Sequence, residues 1–295
     1  MAKPATHTAS STASNADAAS RPAQPLDRLD ALLKRFSVSA RLFHAGPLCG
    51  GHDFQYDEGF LHVVRSGTVE VHHERLRTLH LTEPSLLFYP RPLGHRMVTD
   101  KTVGADMVCA TVRFSGGSAN PVGQALPPVV ALPLKDLEGM ASLLELLFTE
   151  ASTPMCGRQA VIDRLFEVLL IRLIRKLMNE GSVDTGLLAG LAHPQLAKSL
   201  VALHEAPAEN WSLEELAARA GMSRSTFANT FRDTVGVTPG DYLAVWRVTL
   251  AQDLLKRGRA LKHVALDVGY GSTVALSRAF KARTGVSPRE WKVQA

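Results

Sequence analysis

The sequence predicts a multidomain α+β chain, with a small β-barrel or sandwich first, a helical region next and an all-helical last third. Three observations predict this fold class. Residues from about 41 to 116 alternate apolar and polar side chains between Gly and Pro turn signals, as short strands do. Residues 137–178 place apolar side chains at three- and four-residue steps, as helices do. The last hundred residues repeat a pattern with helical spacing.

The strand-rich part is expected within residues 26–135, after a short helix that ends near Arg35. Alternation is clearest at residues 69–72 and 107–114, and Gly50-Gly51 and Ser66-Gly67 mark turns between strands. Residues 1–25 are rich in Ala, Ser and Thr without a contiguous apolar core, which predicts a disordered tail and not a secretory signal.

The middle region, residues 136–190, is predicted to be a helical linker and dimerisation region. Its second helix, residues 161–178, is apolar on more than one side, which indicates contact with two surfaces. Burial within its own domain and pairing of two protomers both fit this pattern. Residues 181–194 are expected to be a linker without helix.

The charge of the chain lies at its C-terminal end. The net charge is +5, and from residue 190 onward fourteen Lys and Arg stand against nine Asp and Glu, so this third carries the whole excess. A polyanion is therefore a plausible partner for it. The three cysteines are odd in number and widely spaced, which argues for a reducing, cytoplasmic setting. No apolar run reaches the roughly 18 residues that a membrane span needs.

Two copies of one unit follow each other in the last third, residues 191–295. Phe231 and Phe280 are 49 residues apart, as are Pro239 and Pro288, whereas the turn glycines Gly221 and Gly269 are 48 apart. One residue was therefore inserted in the turn. The units cover about residues 212–235 and 261–284.

The local chemistry of each copy fits a helix-turn-helix. Ser212 and Glu215 form a capping-box pattern, Gly221 suits a tight turn, and Ser223 is a good N-cap for a second helix. Residues 239–256 are predicted to be a helical spacer of about 27 Å between the copies. That length can place two recognition helices about one DNA turn, roughly 34 Å, apart.

Residues 194–292 resemble the DNA-binding domain of the AraC/XylS family of bacterial regulators. The second copy carries most of the resemblance, through Val264-Ala265, Gly269-Tyr270, Phe280-Lys281 and the run Gly285 to Pro288. Leu276 departs from the family, which usually has Phe there. The resemblance implies a sequence-specific DNA-binding transcription regulator that reads double-stranded DNA with two helix-turn-helix units.

The resemblance also implies which side chains face DNA. The groove-facing residues of the two recognition helices would be Arg224, Ser225, Ala228 and Asn229 in the first, and Thr273, Val274, Ser277 and Arg278 in the second. Arg278 is expected to bond guanine and Asn229 adenine, because Arg and Asn make bidentate contacts with those bases. Arg232 and Lys281 are expected to contact phosphates.

Residues 41–115 resemble the cupin-type sensing domain that some AraC-family members carry, through residues 62–67 and 83–95. Catalytic cupins hold a metal with a His-x-His pair, a Glu and a later His. Here Phe60 stands where the Glu falls, Phe54 and Tyr56 fill the His-x-His stretch, and His95 alone remains. One His does not make a metal site, so neither an enzyme nor a cofactor is expected.

A looser metal or redox site is an alternative that the residue types leave open. Cysteine and imidazole ligands suit zinc or another soft metal, although this spacing is no recognised ligand pattern and structural roles are favoured. The five candidate residues are Cys49, His52, His62, His95 and Cys109.

These observations predict a cytoplasmic one-component regulator. A cupin-like domain would bind a small-molecule effector, the helix at residues 158–178 would pair two protomers, and RNA polymerase is a further candidate partner. Activation and repression both remain open. Two rivals are a cupin enzyme with an accessory DNA-binding domain and an architectural protein that packages DNA without choosing sequence.

Overall fold

The N-terminal half consists of two antiparallel sheets. The computed structural model describes residues 26–55, 57–115, 117, 120–181 and 185–294, and the tail expected over residues 1–25 lies outside them. The first sheet has five strands, side by side in the order β1 Val38–Leu48, β8 Ala105–Phe114, β3 Gly59–Ser66, β6 Ser85–Tyr89 and β9 Val130–Pro133. The second has four, in the order β2 Gly51–Phe54, β7 His95–Thr99, β4 Val69–His73 and β5 Leu79–Leu81.

Alternation along the strands divides the apolar side chains between two cores. In β3, Phe60 and Val64 pack between the two sheets, whereas Leu61 and Val63 belong to the core under the helices. This two-sided burial follows from the period of two along a strand. The predicted strand-rich N-terminal part is confirmed, although the hydrogen bonds of the described residues do not join the two sheets into a closed barrel.

Among the described residues, the α-helices that accompany the sheets are α1 Asp30–Arg35, α2 Pro121–Ala125, α3 Ala141–Ser152 and α4 Arg158–Asn179. The long helix α4 packs on β1 and α3. It buries Ile162, Phe166, Leu169 and Leu173 completely within the chain. Most of its apolar side chains therefore serve its own domain, and Val161 and Val168 are left exposed on the outside.

The C-terminal third is all helical, as predicted. Its helices are α5 Leu187–Ala192, α6 Leu196–Glu205, α7 Leu213–Ala220, α8 Arg224–Val235, α9 Pro239–Lys256, α10 Leu261–Asp267, α11 Thr273–Thr284 and α12 Pro288–Gln294. The expectation of a helix-free linker over residues 181–194 is wrong, because α5 lies there. Its Leu188 and Leu191 are fully buried, so packing stabilises a helix too short to persist alone.

The short helix α1 joins the two halves. Phe36, directly after α1, places its ring 5.4 Å from that of Trp246 in α9, edge to face. Arg28 donates hydrogen bonds to the carbonyl oxygens of Leu191 and Ala192, at 3.0 and 3.1 Å. The core under the first sheet therefore continues into the C-terminal helices. Within the described ranges, no helix has the length and apolarity needed to cross a bilayer.

Candidate nucleic-acid interface

Helices α7 and α8 form the first helix-turn-helix unit. The Ser212 hydroxyl accepts the backbone N–H of Glu215, whose carboxylate accepts the backbone N–H of Ser212, so the predicted capping box is present. Gly221 ends α7 in the left-handed region, with φ +66°. Ser223 then caps α8 by accepting the N–H of Thr226. These local bonds fix the angle between the two helices.

Helices α10 and α11 form the second unit, and its turn packs closely against neighbouring residues. Gly269 has φ +87°, and a Cβ placed on it would lie 2.7 Å from Cα of Ala208. Ser272 caps α11 by accepting the N–H of Ala275. The turn of this unit is thus pressed against the loop before α7, whereas a Cβ on Gly221 would meet nothing within 4 Å.

Each recognition helix turns one face to the core and the opposite face outward. Phe227 and Phe231 of α8 are fully buried, as are Leu276 and Phe280 of α11. The ten residues expected to face DNA are exposed or partly exposed in both helices: Arg224, Ser225, Ala228, Asn229, Arg232, Thr273, Val274, Ser277, Arg278 and Lys281. In each helix the positions i, i+3, i+4 and i+7 form one stripe, 225–232 in α8 and 274–281 in α11.

The cations on the two recognition helices differ in their partners. Arg224 is held by Glu214 of α7, with 3.0 Å between Nη1 and Oε1. Arg232 donates to Oδ1 of Asn229 at 3.4 Å. In the described structure, the side chains of Arg278 and Lys281 make no ion pair or hydrogen bond. The second stripe therefore offers cations that need break no internal contact to reach a ligand.

Arg247 of the spacer helix α9 ties the two units together, and sequence reasoning missed it. It donates to the carbonyl oxygens of Pro207 and Glu209, at 2.7 and 2.9 Å, and its guanidinium lies 5.7 Å from the ring centre of Tyr270. Partial burial lowers its pKa. An arginine inside an amphipathic helix looks like any surface charge in a single sequence, so no signal marks this role.

A surface hollow of about 540 Å³ lies beside α11. Val274, Ser277 and Arg278 line it together with Leu261 of α10. Most of its lining surface is apolar, and the cationic side chains of Arg278 and Lys281 also line it. The hollow thus coincides with the stripe that the family resemblance assigns to DNA.

In the N-terminal half, three histidines and Tyr89 meet between the sheets. Nε2 of His62 lies 3.1 Å from Nε2 of His95, and Nδ1 of His95 lies 2.9 Å from the carbonyl oxygen of Leu93. Burial lowers the pKa of His95 to about 4, so it is neutral at pH 7. The carbonyl can only accept, so His95 carries its proton on Nδ1, and His62 therefore donates from Nε2. The His73 ring lies 2.9 Å from the Tyr89 hydroxyl.

The five residues proposed for a looser metal site do not converge. His62 lies opposite Cys109 in the ladder between β3 and β8, and both are buried. His62 contacts His95, and Cys109 belongs to the core between the two sheets. Cys49 is exposed, and Nε2 of His52 lies 2.9 Å from the Cys49 carbonyl oxygen. Among the described residues no group of three or more His, Cys, Asp or Glu side chains could hold a metal ion.

Two hollows open at one end of the sheets, and both are lined by Asp57 and Pro92. The first, about 540 Å³, contains the ion pair of Glu58 with Arg113. The second, about 690 Å³, adds Glu74 and other polar residues. The space between the sheets is itself filled by aromatic and aliphatic side chains. Room for a small molecule thus lies at the mouth of this domain.

Family models match both parts of the chain. A cupin model covers residues 27–179, about half of the chain, and a helix-turn-helix domain model covers residues 216–294. The chain belongs to the AraC family and carries an N-terminal cupin domain. The family signature seen in α10 and α11 and the cupin-like sheets are thereby confirmed.

Several relatives are named as transcription regulators. An AraC-like transcription regulator of Streptomyces antibioticus is 39% identical over 171 residues, which is 57% of this chain and 56% of that protein. The match thus spans about half the length of this relative. The RCS-specific transcriptional activator RclR of Escherichia coli is 25% identical over 78% of this chain and 83% of its own. The DNA-binding domain of AdpA, solved with target DNA, is 36% identical over 35% of this chain and 93% of that one, with a TM-score of 0.33.

Proposed function

We propose that this protein is a sequence-specific, double-stranded-DNA-binding regulator of transcription. The observation that carries the proposal is the pair of helix-turn-helix units, each with one stripe of polar and basic side chains turned outward. Membership of the AraC family and relatives named as transcription regulators support it. The Arg247 contacts further support it, because a fixed relation between two units suits two neighbouring segments of one groove.

Base readout would be divided between the two stripes. Arg278 would bond guanine and Asn229 adenine, each contact discriminating against other bases by about 1–3 kcal/mol. Arg224, Ser225, Ala228, Thr273, Val274 and Ser277 would complete the groove-facing surface. Arg232 and Lys281 would contact phosphates, which position the protein without reading sequence.

Control by a small molecule is the second part of the proposal. The hollows that share Asp57 and Pro92 have room for an effector and offer both acidic and basic groups. Such control requires that the effector bind two arrangements of the protein with different affinity. The connection from β1 through α1 to Trp246 gives the two halves a physical contact through which that difference could act.

The assembly and setting are also proposals. We expect a homodimer formed through the outer side of α4, RNA polymerase as a further partner at promoters, and a cytoplasmic location, where bacterial DNA is found. A catalytic role is not proposed, because the fully buried Phe60 occupies the position of the glutamate that metal-dependent cupins use.

Selection of DNA by the full-length protein tests the main proposal. Random 30-base-pair duplexes would be selected over several rounds, and the enriched sequences measured for affinity at several salt concentrations against a scrambled duplex. A regulator yields one motif with two half-sites, bound about a thousandfold or more tightly than the scrambled duplex. Uniform affinity for all duplexes would instead support DNA packaging, and absence of binding would refute the proposal.

A further inference from the structure

The outward stripe of α11 contains an exposed apolar residue. Val274 is 58% exposed. Ser277, Arg278 and Lys281 follow it at the three-, four- and seven-residue steps that place side chains on one helix face. Leu276 and Phe280, on the opposite face, are fully buried and hold the helix in the core. Val274 therefore contributes little to folding and stands at the N-terminal end of the stripe, the end that enters the groove first in a helix-turn-helix.

The first unit provides an internal comparison. The 49-residue offset places Ser225 of α8 where α11 has Val274, and both residues are exposed. Ser225 lies 3.3 Å from the hydroxyl of Ser223, between their Oγ atoms, so its surroundings are polar. Val274 instead lines the apolar hollow with Leu261, and Arg278 and Lys281 stand beside it. The two units thus present different chemistry at equivalent positions.

The major groove limits what such a valine can contact favourably. Bases present nitrogen and oxygen acceptors, amino donors and one apolar group, the 5-methyl of thymine. A branched hydrocarbon against an acceptor or a donor would remove it from water without replacing its hydrogen bond, which costs free energy. Against a methyl group, the same valine buries apolar surface on both sides.

From this geometry we infer that Val274 selects a thymine, through its 5-methyl group, in the half-site read by α11, and that the equivalent base position in the half-site read by α8, which faces Ser225, lacks this dependence. The inference rests on the proposed DNA-binding function. It adds a base preference to a position that offers no hydrogen bond. Arg278 would bond the neighbouring guanine and Lys281 a phosphate. These two contacts would fix the position of α11 in the groove, and with it the base that Val274 meets.

Replacing thymine by deoxyuracil tests this contact directly. The duplex selected by the full-length protein would be made with deoxyuracil at one thymine at a time, since this removes only the methyl group. Loss of one buried methyl group is worth about fourfold in Kd. We expect that loss at one thymine of one half-site. Val274→Ser introduces the residue that the first unit has at this place. This variant should bind the duplexes with thymine and with deoxyuracil at that base with the same Kd.

The control variant is Val293→Ser, which makes the same change at a valine that is 86% exposed on α12. It should keep the full response to deoxyuracil, and all three proteins should bind a scrambled duplex equally. If the wild type prefers its selected duplex but responds to deoxyuracil at no position, the inference is overturned while the proposed function stands. An equal loss by Val274→Ser on thymine and deoxyuracil duplexes also overturns it. If the wild type selects no duplex, both fall.

Discussion

Arg278 and Arg224 show how differently two arginines on recognition helices can be placed. Arg224 is engaged by Glu214, so a DNA contact would have to replace an existing ion pair. Arg278 carries no such contact in the described structure and stands at the centre of its stripe. The charge pattern of a sequence cannot distinguish these two situations, because the partner of Arg224 lies ten residues away on another helix.

Arg278→Ala is therefore expected to remove specificity more than affinity. A lost bidentate contact with guanine should weaken the selected duplex about tenfold to a hundredfold and a scrambled duplex much less, as measured by titration of the full-length protein. Arg289→Ala, at an exposed residue of α12, is the matched control and should affect both duplexes alike. Equal losses for Arg278→Ala would mean that this side chain contacts phosphate.

Three buried histidines should make the free energy of unfolding decrease as the pH falls below about 6.5. Burial lowers the pKa of His204 to about 3 and that of His95 to about 4, and it lowers the pKa of His62 well below 6.5. Below about pH 6.5 the unfolded chain therefore binds protons that the folded chain does not. Each histidine should cost about 1.4 kcal/mol of unfolding free energy between pH 7.5 and 5.5.

Urea unfolding of the full-length protein at the two pH values measures this effect. His204→Gln should reduce the pH dependence, since glutamine does not titrate and can still meet the Tyr242 hydroxyl, 2.6 Å from Nε2 of His204. His263→Gln, at an exposed residue of α10, should leave the pH dependence unchanged. A stability that is the same at pH 5.5 and 7.5 would contradict the burial of these groups as neutral histidines.

At the scale of elements, the turn glycines of the two units distinguish the cost of a left-handed backbone from the cost of a steric clash. Gly221→Ala should cost about 1–2 kcal/mol, because only the left-handed backbone conformation opposes the new side chain. Gly269→Ala should cost clearly more, because its Cβ would also lie 2.7 Å from Cα of Ala208 and 2.9 Å from Nη2 of Arg247. Urea unfolding of both variants compares the two costs, and equal values would show that the second turn is not tightly packed.

The elements also show where sequence reasoning succeeds. Ser212 and Ser223 cap the helices that their local patterns predicted, because a cap depends on residues within four positions. Helix α5 was missed, since it is short and is stabilised by tertiary contacts of Leu188 and Leu191. The resemblance to the AraC/XylS family pointed to the ten DNA-facing residues, and all ten are exposed or partly exposed. The Arg247 contacts instead join residues about 40 positions apart, which no local pattern marks.

At the scale of the whole molecule, the outer side of α4 predicts the site of dimerisation. Val168 is 44% exposed there, whereas most of the other apolar side chains of the helix are buried. Val168→Asp should lower the mass measured by sedimentation equilibrium from dimer to monomer, because a charge at a pairing surface is costly to desolvate. Val103→Asp, in a turn where valine is 77% exposed, should leave the mass unchanged. A dimer that survives Val168→Asp would place the pairing elsewhere.

The contact of α1 with α9 has a consequence for modular exchange between regulators. Leu32 and Phe36 precede the sheets in the chain, yet they are fully buried in a core that the C-terminal helices share. The core of the DNA-binding part therefore includes residues from both ends of the chain. A chimera joined near residue 190 would bring in a foreign N-terminal domain and would lose the contact of Phe36 with Trp246. A swap that keeps residues 26–36 with their own C-terminal third should yield the better-folded hybrid.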